Sequence, residues 1–191
     1  GKRIWLSTQP EREGDWSPRL LAFDAFSGET VAWTELPNAL SCAPLQARMK
    51  TAGGERLLTF ICTERGHVYV VGDDGKSIGG INIEGRVVQP PIIISPFAVF
   101  LQEIEGKGRV TSVRIDDKGV AERDDWQVLE LPEPPLTQPS VEAALVFLTG
   151  TKGNVLGLGV EVQQDKNPVY DALKGSKSIE FESPVWLKVT E

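Results

Sequence analysis

The chain has 191 residues, 40% of them hydrophobic and 25% charged, with a formal net charge of −7. That length holds one sizeable core or two small ones, and the mix is ordinary for a globular protein. The acidic surface repels phosphate backbones and argues against a nucleic-acid partner, and no apolar run reaches the roughly 18 residues of a membrane-spanning helix.

Strand and turn signals follow one another from the start. Ile4 to Thr8, Arg19 to Asp24 and Val31 to Leu36 read as strands, with a long polar loop, Gln9 to Pro18, after the first. Next come Leu45 to Lys50, Leu57 to Thr63, His67 to Val71 and Ile78 to Ile83, separated at Gly53-Gly54, Arg65-Gly66 and Asp73-Asp74-Gly75-Lys76. In the last of these turns Gly supplies a positive φ and Asp a local side-chain bond.

The third group is Ile92 to Ile94, Phe97 to Gln102, Val110 to Ile115 and Trp126 to Leu131, turned at Gly106-Lys107-Gly108 and Asp116-Asp117-Lys118-Gly119. Val110 to Ile115 alternates apolar and polar residues, as a half-buried strand does. The fourth is Ser140 to Ala143, Ala144 to Thr149, Val155 to Val162 and Ser178 to Glu182, and Val185 to Val189 follows. Between them, Asn167-Pro168 and Gly175 fit the cap, first turn and stop of one short helix near Asn167 to Leu173.

Each group after the first opens on a proline. Pro44, Pro90, Pro139 and Pro184 stand 46, 49 and 45 residues apart. A strand-and-turn repeat of that period is the mark of propeller blades. The expected fold is therefore all-β, one domain over residues 1–191: a β-propeller of four four-stranded antiparallel blades. The blades would be 3–36 with 184–189, then 44–83, 90–131 and 139–182, so both chain ends complete one blade and hide its open edge. The rival is half of an eight-bladed ring.

Leu21 to Trp33 carries a more specific signal. Ala22, Asp24, Ser27, Gly28 and Trp33 resemble the repeat of quinoprotein-like (PQQ-repeat-like) propellers: Ala-x-Asp, two residues, Ser or Thr, Gly, then Trp. The resemblance implies that Asp24 and Ser27 build a turn, that Gly28 takes a backbone angle closed to other residues, and that Trp33 wedges between blades. Trp126 is the second candidate wedge, since Trp126 to Pro132 echoes Trp33 to Pro37. Such repeats occur in quinone-dependent dehydrogenases, in outer-membrane assembly lipoproteins and in scaffolds, so the fold does not decide the activity.

No catalytic constellation stands out. His67 is the single histidine, so a Ser-His-Asp triad would have to use it; beside a turn at the start of a strand it reads as an ordinary polar strand residue. Asp73-Asp74, Asp116-Asp117 and Asp124-Asp125 lack the alternating carboxylates and closing Glu of a calcium loop and read as turns. Gly150 to Gly159 is glycine-rich, but strand formers follow where a phosphate loop needs a helix, so a hairpin is expected. Cys42 and Cys62 read as two small buried hydrophobes, unbonded, near one end of one blade. No metal, cofactor or catalytic residue is expected.

Trp16 is the candidate partner contact: an aromatic in a charged loop, Glu11 to Pro18. The reading is a non-catalytic module that binds a protein or carbohydrate partner or serves as a scaffold, monomeric or homodimeric. The opening Gly1-Lys2-Arg3 reads as a domain cut from a larger protein or as a processed chain, with a periplasmic or extracellular location. The alternative is a fragment of a quinone-dependent dehydrogenase.

Overall fold

The computed structural model describes residues 3–8, 17–51, 53–116, 119–120, 126–136, 139–142, 145–153, 155–159, 177–182 and 186–189. Among these residues there are eighteen strands and no helix. They form four antiparallel sheets, met in chain order. The expected helix near Asn167 to Leu173 lies outside the described residues.

The first sheet is β1 (Arg3–Thr8), β2 (Arg19–Asp24) and β3 (Thr30–Glu35). The second is β4 (Leu45–Thr51), β5 (Gly54–Cys62), β6 (His67–Gly72) and β7 (Ser77–Asn82), each paired to the next. The third holds β8 (Arg86–Val87), β9 (Ile92–Ile94), β10 (Phe97–Ile104), β11 (Lys107–Asp116), β12 (Gly119–Val120) and β13 (Gln127–Leu131). Here β8 and β9 lie along β10 in succession. Pro90 and Pro91 fall between them and have no N–H to give the ladder, so one first strand is split in two. The fourth sheet is β14 (Ser140–Glu142), β15 (Leu145–Thr149), β16 (Val155–Gly159), β17 (Lys177–Glu182) and β18 (Trp186–Val189), in that order.

The sheets pack face to face, and strand periodicity decides who faces whom. On β5, Leu58, Phe60 and Cys62 join a core with Ala98, Phe100, Val113 and Ile115 of the third sheet. Ile61, one residue out of phase, packs the other way with Leu20 and Leu36. On β10, Ala98 and Phe100 face the second sheet, while Val99 and Leu101 pack with Leu148 of the fourth. Central strands buried on both faces are therefore apolar at nearly every position, as Phe97 to Leu101 is.

Two of the crossings between sheets are built alike. Leu36-Pro37-Asn38 leaves β3 and Leu131-Pro132-Glu133 leaves β13. Leu40 then bridges Thr63, as Pro135 bridges Gly150. Ser41 N donates to Cys62 O at 3.0 Å, as Leu136 N donates to Thr149 O at 2.7 Å. A side-chain oxygen caps the next turn in both: Asn38 Oδ1 accepts from Arg65 N at 3.1 Å, and the buried Glu133 carboxylate accepts from Lys152 N. The echo between Trp33–Pro37 and Trp126–Pro132 is thus a repeated crossing. Between the second and third sheets, the buried Gln102 accepts a hydrogen bond from the Thr111 hydroxyl through Oε1 and donates through Nε2 to Glu84 O at 2.5 Å.

Two expectations are corrected. Trp186–Val189 does not lie beside Ile4 to Thr8. It pairs with β17, Glu182 facing Trp186, so the two chain ends do not complete one blade. The connection from Glu182 to Trp186 is three residues long, and a hairpin this short costs far less loop entropy than a pairing to the other end of the chain. Among the described residues the first sheet has three strands, with β1 at its edge. The second correction is Trp33. It does not wedge between sheets but stays 62% exposed, with the Arg19 guanidinium 5.6 Å from its ring centre. Trp33 pairs with Leu21, whereas the buried Leu20 and Ala22 pair with Thr34 and Ala32. The strand face toward the second sheet therefore belongs to Ala32 and Thr34. Trp126 does pack against the core between the second and third sheets.

Candidate functional site

The first sheet meets the second less tightly than the second meets the third. Between them lies a groove of about 240 Å³. Leu20, Ile61 and Val71, all buried, form its floor, and Trp5 and Tyr69 stand along it. Ala32, Trp33 and Thr34 of β3 border one side, Gly75 and Ser77 the other. Pockets for drug-sized ligands run roughly 300–1,000 Å³; this one is sized for a single side chain or small group.

Its walls are set by local rules. The β6–β7 turn is tight: Gly75 N donates to Gly72 O at 3.0 Å and Asp74 Oδ1 accepts from Lys76 N at 3.0 Å. That turn comes up against β1 and β3, where a Cβ added at Gly75 would lie 3.1 Å from Arg3 Nη1 and 3.3 Å from the Ala32 Cβ. Burial raises the Tyr69 hydroxyl pKa. Trp5 Nε1 and Arg3 Nη1 are buried with no hydrogen-bond partner among the described residues. An unpaired buried donor is costly.

The outer face and edge of the first sheet are also open. Ile4 and Leu6 of β1, at 51% and 52% exposure, are bare, and so is Phe26 in the β2–β3 turn. That turn is rigid. Asp24 Oδ1 accepts from Phe26 N and Ser27 N, both at 2.9 Å, and Ser27 Oγ accepts from Glu29 N at 3.3 Å. These bonds to Ser27 and Phe26 hold the Asp24 carboxyl below its usual pKa. The Asp-x-x-Ser-Gly logic read from the sequence is what the turn does, with Gly28 at φ 72°.

The other sequence candidates fall elsewhere. Trp16 and the Asp124-Asp125 pair lie outside the described residues. His67 bonds through its backbone, its N–H to Thr63 Oγ1 at 3.1 Å and its carbonyl from Thr63 N at 2.9 Å, and its Nδ1 has no partner among the described residues. Gly150 to Gly159 forms the β15–β16 hairpin. No group of three or more His, Cys, Asp or Glu side chains gathers for a metal ion among the described residues. Cys42 and Cys62 are free thiols. A second hollow, about 80 Å³, lies between Trp126, Gln102 and Arg109. There Arg109 bonds Glu84 and Glu130, each at 2.6 Å, which raises its pKa.

The groove itself was not legible in the sequence. Trp5 and Tyr69 lie 64 residues apart in the chain, and each alone looks like a core residue. Their shared signal is a large aromatic at alternate positions of strands that turned out to face each other.

No family model and no curated protein matches this chain. Among the solved structures that match is the crystal structure of BamB from Moraxella catarrhalis, with a TM-score of 0.49 at 10% identity over 83% of this chain; the chain spans 48% of that one, about half its length.

Proposed function

We propose that this chain is a non-catalytic propeller module of the quinoprotein-like kind, one domain that docks a protein partner as part of a larger extracytoplasmic protein. The support for a propeller is the order of four antiparallel sheets, each reached in chain order and packed on the next. Blade boundaries near 44–83, 90–131 and 139–182 follow from the proline-led repeats.

One observation carries the docking role: an apolar groove between the first two sheets, walled by Trp5 and Tyr69, with Trp5 Nε1 left without a partner among the described residues. An apolar side chain fits the groove. A sugar ring needs several polar groups around its rim, whereas the side chains here are mainly apolar, with Thr34, Tyr69 and Ser77 as the hydroxyls. A protein partner is therefore favoured over a carbohydrate.

Selection of displayed peptides against the chain tests this. The expected binders carry an apolar or aromatic anchor, and lose at least tenfold in affinity on Thr34→Arg or Ser77→Arg. Both substitutions are at exposed positions bordering the groove, so the fold should not change. Binders indifferent to both substitutions would place the docking surface elsewhere. A titration with pyrroloquinoline quinone and calcium is expected to show no binding.

A further inference from the structure

Two thiols meet where the chain crosses from the first sheet to the second. Leu40 bridges Thr63, and Ser41 N donates to Cys62 O at 3.0 Å. Cys42, the next residue, is thereby carried against the end of β5. Cys62 is the last residue of β5, 1% exposed, within the core shared by the second and third sheets. Cys42 packs on that same core but remains half-buried.

The two side chains hydrogen-bond to each other, and their environments differ. The bond from Cys62 lowers the Cys42 pKa, and the same bond, with burial, pushes Cys62 well above the usual thiol value. The accessible sulfur is therefore the more acidic of the two. This is the arrangement of an attacking and a resolving cysteine.

We propose that Cys42 and Cys62 form a dithiol site that exchanges with external disulfides and closes to an intramolecular disulfide. The Cys42 thiolate attacks one sulfur of a small disulfide such as oxidised glutathione. That S–S bond breaks, one glutathione thiolate leaves, and a mixed disulfide stands on Cys42. Cys62 then gives its proton to solvent, and its thiolate attacks Cys42 Sγ and expels the second glutathione thiolate. Two protein thiols are oxidised to one disulfide, and the external disulfide is reduced to two thiols. Both side chains already pack on one core at the end of β5. The bond would staple the crossing segment to the end of β5 and constrain the chain between them.

The test uses the full chain, reduced, freed of reductant and placed in glutathione buffers of rising oxidised fraction. The expected wild-type result is loss of both thiols together, an intact mass lighter by two hydrogens, and no growth in molecular size. Samples quenched early in acid should show glutathione on Cys42 and none on Cys62 in peptide maps. Cys62→Ala should hold glutathione at Cys42 stably. The proposal is overturned if the wild type accumulates a lasting glutathione adduct, links two chains, is first modified at Cys62, or keeps both thiols in the most oxidising buffer. The early-quench map needs no variant, so it decides the question even where Cys62→Ala fails to fold.

Discussion

Phe60 and Phe100 meet edge to face across the join of the second and third sheets, ring centres 6.5 Å apart and planes at 62°. Both are fully buried, and each sits on an inner strand of its sheet. Truncating either to Ala removes a large buried side chain and leaves a void. A loss of about 3–5 kcal/mol is expected from Phe100→Ala, read by urea unfolding. In a double-mutant cycle with Phe60→Ala the pair should couple by about 0.5–1.5 kcal/mol. Strict additivity would mean that the two sheets do not share this core.

Gly66 and Gly106 both adopt positive φ, 79° and 76°, yet their surroundings differ. A Cβ at Gly66 would fall on Ile83 O, while one at Gly106 meets nothing within 4 Å. Gly106→Ala should cost about 1 kcal/mol, the backbone strain alone. Gly66→Ala must also displace the strand end that bonds Gly66, where Ile83 N donates to Gly66 O at 2.9 Å, and should cost clearly more. Equal unfolding midpoints for the two variants would contradict this packing of the β5–β6 turn.

Asp24 gives a pH signature. Its carboxylate accepts from Ser27 N and Phe26 N, and its pKa is lowered from 3.8. A depressed folded-state pKa means stability that is present above the unfolded value and lost as pH falls through the folded one. Asp24→Asn keeps an oxygen in place but removes the charge. Thermal midpoints should show the wild type ahead by a constant margin at neutral pH, with the gap closing below 3.8. A gap that stays constant down to pH 2 would show that the charge contributes nothing.

Much of the architecture was readable because it rests on local chemistry. Pro44 and Pro139 stand immediately before β4 and β14, and Pro90 two residues before β9, since proline belongs at the start of a strand or on its edge; Pro184 lies outside the described residues. The Asp-Asp-Gly-Lys turn and the Asp24 to Gly28 turn were readable for the same reason: each residue answers to its near neighbours. What could not be read depends on distant parts of the chain. The place of β18 is a choice between a local hairpin and a partner strand at the other end of the sequence. The exposure of Trp33 depends on which face of β3 turns toward a sheet not yet formed, near a register shift at Ala22/Phe23. The Trp5–Tyr69 groove and the meeting of the Cys42 and Cys62 thiols exist only once sheets stack. Trp16, the residue the sequence singled out for a partner, lies outside the described residues.

Hydrogen exchange of the chain alone and with a selected peptide bound tests the docking account most directly. In the complex, protection should rise in β1, β3 and the β6–β7 turn, residues 3–8, 30–35 and 72–77, while β10, β11 and β13 of the third sheet stay as they were. Protection confined to the third or fourth sheet, with the first unchanged, would contradict the account.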